Sequence, residues 1–196
     1  MRIACLDLEG VLIPEVWQNV ARGCGVDELM LTTRDIPDYH QLMRKRLQLL
    51  DHHGITLDTI REVIGGMTAL PGAGDFIRKL RAEMPVAILS DTYVEFAGPL
   101  MAQLDHPMLL CNSLSVTEGR IVDYHLRQEN GKRHAVEAFR SLNYEVFATG
   151  DSYNDLTMLL AADRGAFFRP PDSIVRENPE IPVFREYDEL FRFFTE

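Results

Sequence analysis

Arg2-Ile3-Ala4-Cys5-Leu6-Asp7-Leu8-Glu9-Gly10-Val11 is the stretch on which the reading of this chain turns. Ile3 to Leu6 is an apolar run of the length of a buried strand, and it stops abruptly on a carboxylate. Asp7 and Glu9 stand two residues apart, so in extended geometry both side chains point to one side. Gly10 gives the backbone freedom for a tight turn over them. Two carboxylates just past the carboxyl end of a buried strand lie where open α/β sheets place their ligands. The competing reading of this stretch alone is a helix-capping Asp with a solvated Glu nearby.

Outward from Gly10 the pattern turns helical. Pro14 suits a first helical turn, and Val16, Trp17, Val20 and Ala21 recur at helical spacing until Gly23-Cys24-Gly25. Val26 to Leu31 reads as a short helix, and residues 33–38 as a turn-rich link. Tyr39 to Leu50 reads as an amphipathic helix with Leu42, Met43, Leu47 and Leu50 on one side. Thr56 or Asp58 caps a further helix that Gly65-Gly66 closes. Residues 14–68 therefore form an all-helical insert, a lid over the end of the first strand, while 1–13 and 69–196 form the core. From Pro71 onward, strands expected at 85–89, 108–110, 145–149 and 165–168 alternate with helices at 73–83, 94–104, 131–142, 153–162 and 186–194. A hairpin is expected around Glu118-Gly119-Arg120. This alternation predicts an α/β fold, a doubly wound parallel sheet with helices on both faces.

With 196 residues, the chain suits one compact domain or a core with a small insert. Its 30 acidic and 20 basic residues leave a net charge of −10, which argues against a nucleic-acid or anionic-membrane partner. Cys5, Cys24 and Cys111 are odd in number and lack metal-type spacing. With no leader-like or membrane-spanning run, the expectation is a soluble, cytoplasmic protein with reduced thiols.

Three apolar strands end in polar groups: Asp7/Glu9, Ser90-Asp91-Thr92, and Gly150-Asp151-Ser152-Tyr153-Asn154-Asp155. Side by side in one parallel sheet, these groups converge on one edge. Asp7, Glu9, Asp151 and Asp155 in one crevice would repel unless a cation neutralises them. Mg²⁺ suits the case, because it takes oxygen ligands and keeps waters or substrate phosphate in its shell. Lys132 is the candidate positive partner. The alternative is separate helix caps at three strand–helix junctions.

Taken together, Asp7-Leu8-Glu9, Ser90-Asp91-Thr92, Lys132 and the Gly150–Asp155 stretch resemble the four motifs of the haloacid dehalogenase superfamily, in its phosphatase branch. The helical lid after the first motif is similar to the cap of phosphoserine phosphatases. Glu15 and Arg46 fall where that family holds the ammonium and the carboxylate of phosphoserine. Three positions depart from the common pattern: Glu9 in place of Asp, Val11 in place of a hydroxyl residue, and Asp91 in place of Gly. All three resemble the bifunctional group that also passes the phosphoryl group to homoserine, as do Pro14-Glu15 and the stretch from Thr32 to Tyr39, with Arg34 and Pro37 in it.

The resemblance implies roles. Asp7 is the nucleophile that forms an aspartyl-phosphate, and Glu9 the acid that protonates the leaving serine and then the base toward the acceptor. Asp7, the backbone carbonyl of Glu9, and Asp151 hold Mg²⁺, with Asp155 behind them. Ser90, the amide of Asp91, Lys132 and Asn154 face the phosphoryl group. Asp7 is expected to keep a low pKa through Mg²⁺ and Lys132. The same resemblance leaves two alternatives: a phosphatase for another small ester, such as an enol or sugar phosphate, or a non-catalytic binding member. Trp17, Met30 and Met43 are expected in the lid core. His52-His53 are expected at a helix end, and Arg44 and Lys45 as solvated charge. Phe191, Phe193 and Phe194 are expected to pack on the sheet or on a partner subunit, so a homodimer is compatible with the sequence.

Overall fold

The N-terminal apolar run forms β1 (Arg2–Leu6), and its residues alternate between two buried layers. Ala4 and Leu6 pack into one layer, Ile3 and Cys5 into the other. That is the period of two of an extended chain, and burial on both faces marks a central strand of a parallel sheet. The structure is a computed structural model that describes residues 1–33, 35–36 and 38–196. Arg34 and Pro37 of the turn-rich link thus lie outside the described residues.

After β1 come α1 (Val16–Cys24), a 3₁₀ turn (Asp27–Met30), α2 (Tyr39–His52) and α3 (Leu57–Gly65). Asp38 caps α2 by accepting from the Gln41 amide (3.0 Å), and Thr56, not Asp58, caps α3 through the Thr59 amide (3.2 Å). Then follow α4 (Ala73–Glu83), β2 (Val86–Tyr93), α5 (Val94–Gln103), β3 (Met108–Thr117), β4 (Arg120–His125) and α6 (Gly131–Ser141). The chain ends with β5 (Glu145–Gly150), a 3₁₀ turn (Tyr153–Asp155), α7 (Leu156–Ala161), β6 (Arg164–Phe168), α8 (Asp172–Glu177), β7 (Val183–Phe184) and α9 (Tyr187–Thr195).

The sheet order is β4-β3-β2-β1-β5-β6-β7, parallel throughout except for the β3–β4 hairpin. One face is covered by apolar residues of α4, α5, α9 and the helical insert, the other by those of α6, α7 and α8. The chain builds outward from β1 through β2 to β4, then crosses to β5 on the other side. Such a reversal opens a crevice at the carboxyl ends of the two strands that flank it, here β1 and β5. No helix among the described residues is long and apolar enough to cross a membrane.

Four local expectations change. β2 does not stop at Leu89 but runs on through Ser90-Asp91-Thr92, because after an irregularity Tyr93 pairs with Asn112. The strand at 108–110 and the first hairpin arm are one strand, β3. Asn112, which lies between them, is buried, donating to the Asp91 carbonyl (3.2 Å) and accepting from the Arg127 amide (3.0 Å). The helix expected from Val26 is a 3₁₀ turn, and the one expected from Tyr153 begins with a 3₁₀ turn. α8 and β7, six and two residues long, were too short to leave a periodic signal beside Pro170, Pro171 and Pro182.

The insert leans on the hairpin and on α5. The Leu57 amide donates to the Gly119 carbonyl (2.8 Å), Arg61 to the Glu95 carbonyl (3.1 Å), and Asp51 pairs with Arg120. Phe193 and Phe194 pack on Phe147 of β5, so these C-terminal rings cover the sheet.

Candidate active site

Asp7 follows β1 directly. Its amide donates to the Thr149 carbonyl (2.9 Å), which ties the end of β1 to β5. The carboxyl is buried, at 4% exposure, and its Oδ1 accepts from the Leu8 amide (2.7 Å) and lies 2.9 Å from Lys132 Nζ. With both contacts on Oδ1, Oδ2 is left for an incoming atom. Gly10, at φ +75°, turns the chain so closely over β5 that a Cβ there would collide with the Asp151 carboxyl.

Lys132 opens the buried side of α6 and reaches three carboxylates: Asp155 Oδ1 (2.7 Å), Asp7 Oδ1 (2.9 Å) and Asp91 Oδ2 (3.7 Å). Burial opposes its charge, but Asp155 and Asp7 outweigh that, and its pKa lies well above the usual lysine value. Asp155 is fully buried. Its second oxygen accepts from the Asp151 amide (3.0 Å) and the Ser152 amide (3.1 Å), so it fastens the β5 loop to the lysine.

Oxygens of Asp7, Asp151 and Asp155 lie within 4.8 Å of one another. Burial first, then Asp155 and Glu15, push the Asp151 carboxyl up to about 7. Burial and Asp155 also push Asp7 well above the usual carboxylate range, against the pull of Lys132. The expectation of a low Asp7 pKa counted on Mg²⁺ as well as Lys132; the protein's own groups give the opposite sign. One lysine does not balance this charge, and an all-oxygen donor set suits a hard dication. The cluster therefore fits a metal ion. Glu9's side chain is not part of it.

Glu9 faces the insert instead, where its Oε2 accepts from the Val16 amide at the start of α1 (2.7 Å). Burial, then the neighbouring Glu15, push its carboxyl up to about 8, with the Val16 amide and Arg46 pulling the other way. Two carboxyls two residues apart thus sit in different surroundings, one against Lys132 and one against the insert.

Arg46 of α2 is buried, at 7% exposure. Its guanidinium lies 4.4 Å over the Trp17 ring and donates to the Leu31 carbonyl (2.9 Å), while Nε has no hydrogen-bond partner among the described residues. Among the described residues no carboxylate pairs with it, an unusual state for a buried charge. Glu15 is exposed at the start of α1 and likewise has no ion-pair partner among the described residues. Asp7, Glu9, Glu15, Arg46, Ser90, Asp91, Lys132, Asp151 and Asn154 all border one cavity of about 760 Å³.

On the phosphoryl side, Ser90 is buried and its Oγ accepts from the Thr92 amide (3.1 Å). Asn154 donates to Asp91 Oδ2 (3.0 Å), bridging the ends of β2 and β5. Val11 does not border the cavity. It is fully buried and its carbonyl accepts from the Tyr187 hydroxyl (2.7 Å), so its lack of a hydroxyl cannot shape an acceptor site directly. Trp17, expected in the lid core, rests edge-on against Phe96 but also floors Arg46 in the cavity. Sequence reasoning named Tyr39 only as the end of the stretch that resembles the bifunctional group and gave no site role to it or to His40, yet both border the cavity. Tyr39 stands seven residues before Arg46, and that two-turn spacing was the available signal.

An open sheet with an acidic, lysine-bearing crevice at its switch point defines the class, a Rossmann-like α/β enzyme core with its chemistry at the carboxyl edge. The chain belongs to the haloacid dehalogenase-like hydrolases, whose family profile matches residues 17–160. That match covers Ser90, Lys132 and Asp151 but begins after Asp7. Over 195 residues the chain is 51% identical to the phosphoserine phosphatase ThrH of Pseudomonas aeruginosa, covering 99% of this chain and 95% of that one. It is also 51% identical over 195 residues to a phosphoserine phosphatase of Pseudomonas syringae pv. tomato, covering 99% and 82%. A solved structure described as a phospho-aspartyl intermediate analogue of phosphoserine phosphatase superposes with a TM-score of 0.81. At 22% identity over 98% of both chains, it is a likeness of fold.

Proposed function

We propose that this chain is a Mg²⁺-dependent phosphoserine phosphatase that works through an aspartyl-phosphate on Asp7 and also transfers the phosphoryl group to homoserine. One observation carries the reading: a nucleophile–lysine pair shares its cavity with a buried Arg46 and an exposed Glu15, neither of which is in an ion pair among the described residues. An amino acid esterified with phosphate supplies the missing partners, carboxylate for Arg46, ammonium for Glu15 and phosphoryl group for Ser90 and Lys132. A sugar phosphate leaves both Arg46 and Glu15 unpaired, an enol phosphate brings no ammonium for Glu15, and a binding module has no use for a free Asp7 Oδ2 beside Lys132. Residues 14–68 act in this reading as the lid that carries specificity, over a core of 1–13 and 69–196. The three free cysteines suit a reducing, cytoplasmic setting.

The steps follow from the surroundings of each group. Asp7 Oδ2 attacks phosphorus while Leu8 and Lys132 hold Oδ1. Glu9, held neutral by burial, gives its proton to the leaving serine oxygen and then takes one from water or from homoserine. Lys132 offsets charge that develops on the phosphoryl oxygens, and Ser90 and the Asp91 amide hold them. Asp7, the Glu9 carbonyl and Asp151 would hold Mg²⁺, with Asp155 behind them. When bound, the ion supplies charge that favours ionised Asp7 and screens the phosphate. Homoserine is serine lengthened by one methylene and presents the same ends to Glu15 and Arg46. A bound alcohol gains a large effective concentration, so it competes with water.

Phosphate release from a panel of small esters, with and without Mg²⁺, is expected to be highest for phosphoserine and to need the metal. Asp151→Asn is expected to raise the Mg²⁺ concentration required. Equal rates on sugar or enol phosphates, or activity indifferent to metal, would overturn the reading. With homoserine added, serine release is expected to exceed free phosphate, and phosphohomoserine to appear by mass spectrometry. Serine and phosphate in equal amounts at every homoserine concentration would leave a plain phosphatase.

Glu9 gives a pH signature. The first step needs its protonated form, which predominates below a pKa of about 8. kcat/KM is therefore expected to fall as pH rises past that value. Glu9→Gln is expected to lower activity by about 10²–10⁴-fold, the usual contribution of general acid–base catalysis, and to remove that limb. A limb that survives in Glu9→Gln belongs to another group.

A further inference from the structure

Tyr39 and Arg46 stand two turns apart on α2, and both border the cavity. The Tyr39 hydroxyl lies 2.8 Å from that of Tyr93, at the end of β2. Tyr93 is fully buried, and the Tyr39 hydroxyl is its hydrogen-bond partner; among the described residues it has no other. Each phenol carries one proton. If Tyr39 donated to Tyr93, the Tyr93 proton would be buried with no acceptor, an arrangement folded proteins avoid. The reverse direction satisfies both: Tyr93 donates to Tyr39, and the Tyr39 proton is free for an acceptor in the cavity. Tyr39 has no other protein hydrogen-bond partner among the described residues, and Arg46 and Asp91 are the charged groups that act on it most strongly. Burial pushes its pKa up to about 12, so it remains a donor through the working range.

We propose that Tyr39 is a specificity residue whose hydroxyl, turned into the cavity by Tyr93, donates to the same substrate carboxylate that Arg46 binds, with Tyr93 as the positioning residue behind it. The inference rests on the phosphoserine reading and deepens it. The ammonium end of such a substrate cannot accept, and the phosphoryl end belongs to Ser90 and Lys132. An acceptor shared between a phenol and a guanidinium is anionic. Two of the five Arg46 N–H groups are engaged, one on the Leu31 carbonyl and one facing the Met43 sulfur at 3.6 Å, so the guanidinium does not present its whole fork to the cavity. A second donor completes the grip on a carboxylate.

The test compares wild type, Tyr39→Phe, Tyr93→Phe and the double variant on phosphoserine and on O-phosphoethanolamine, which lacks the carboxylate. Tyr39→Phe is expected to lower kcat/KM for phosphoserine about ten- to a hundredfold, mainly through KM, as befits a hydrogen bond to a charged group. Phosphoethanolamine turnover should stay within about twofold, since no carboxylate is there to lose. Tyr93→Phe should give a smaller loss with the same selectivity, and no further loss in the Tyr39→Phe background. Because Tyr39→Phe alone orphans the Tyr93 hydroxyl, the double variant, which removes both, carries the comparison should the single one fold poorly. Equal losses on the two substrates, or none on phosphoserine, would overturn the inference while leaving the phosphatase intact. A wild type inactive on phosphoserine overturns the functional reading and this inference with it.

Discussion

Asp7→Asn is expected to abolish turnover while leaving the fold at least as stable as wild type. An amide oxygen does not attack phosphorus, so the loss should reach about four orders of magnitude or more, as when a covalent nucleophile is removed elsewhere. The stability half follows from the surroundings. Burial holds the Asp7 carboxyl well above its ordinary value, so the folded state prefers it neutral. Above the unfolded-state pKa, ionised Asp7 therefore detracts from stability, and a neutral, nearly isosteric Asn relieves it. Lys132 is not stranded, because Asp155 remains at 2.7 Å, and the Asn oxygen still accepts from the Leu8 amide. Phosphate release and a thermal melt in metal-free buffer check both halves. Substantial activity in a pure preparation would sink the covalent route, and a collapsed melting temperature would show that Asp7 holds the fold.

Arg46→Ala is expected to strike phosphoserine far harder than phosphoethanolamine. Removing one partner of a buried charge pair costs about 2–5 kcal/mol, which is tens- to thousands-fold in kcat/KM. The insert itself should tolerate the change, because no protein carboxylate among the described residues is left behind; the Leu31 carbonyl and the Trp17 face lose a neighbour. Arg46→Lys should recover only part of the loss, since an ammonium cannot reproduce a planar fork stacked on an indole. Steady-state kinetics on the two substrates decide it. A matching loss on both would make Arg46 a support for the insert rather than a reader of the substrate.

Much of this was legible along the chain. The run Ile3–Leu6 ending at Asp7, the spacing of Val16, Trp17, Val20 and Ala21, and the stripe Leu42, Met43, Leu47 and Leu50 are local patterns, written in residues within a turn or two of one another. Asp7, Glu9, Asp91 and Asp151 were legible for the same reason, as polar groups that end apolar runs; Glu15 and Arg46 came only from the resemblance, and Glu129, which also borders the cavity, was not picked out. What failed was where two signals competed. The strand expected at 108–110 was not joined to the hairpin, because Asn112 between them is held by Asp91 and Arg127, which lie far off in sequence. Val11 looked like a position of specificity until its burial beneath Tyr187 removed it from the cavity.

The sequence by itself determined the doubly wound sheet, the helical insert after the first strand and the residue types at the carboxyl edge, because periodicity and turn chemistry act between near neighbours. Only the tertiary structure decided how those residues are charged and paired. Glu9 owes its raised pKa to burial and to Glu15, and Asp7 its own to burial and Asp155, against the opposing pull of Lys132. Arg46 rests on Trp17, 29 positions away, and Tyr39 meets Tyr93 across 54. Desolvation and Coulomb interactions depend on distance through space and on exclusion of water, and neither exists until chain segments remote in sequence have closed around one cavity.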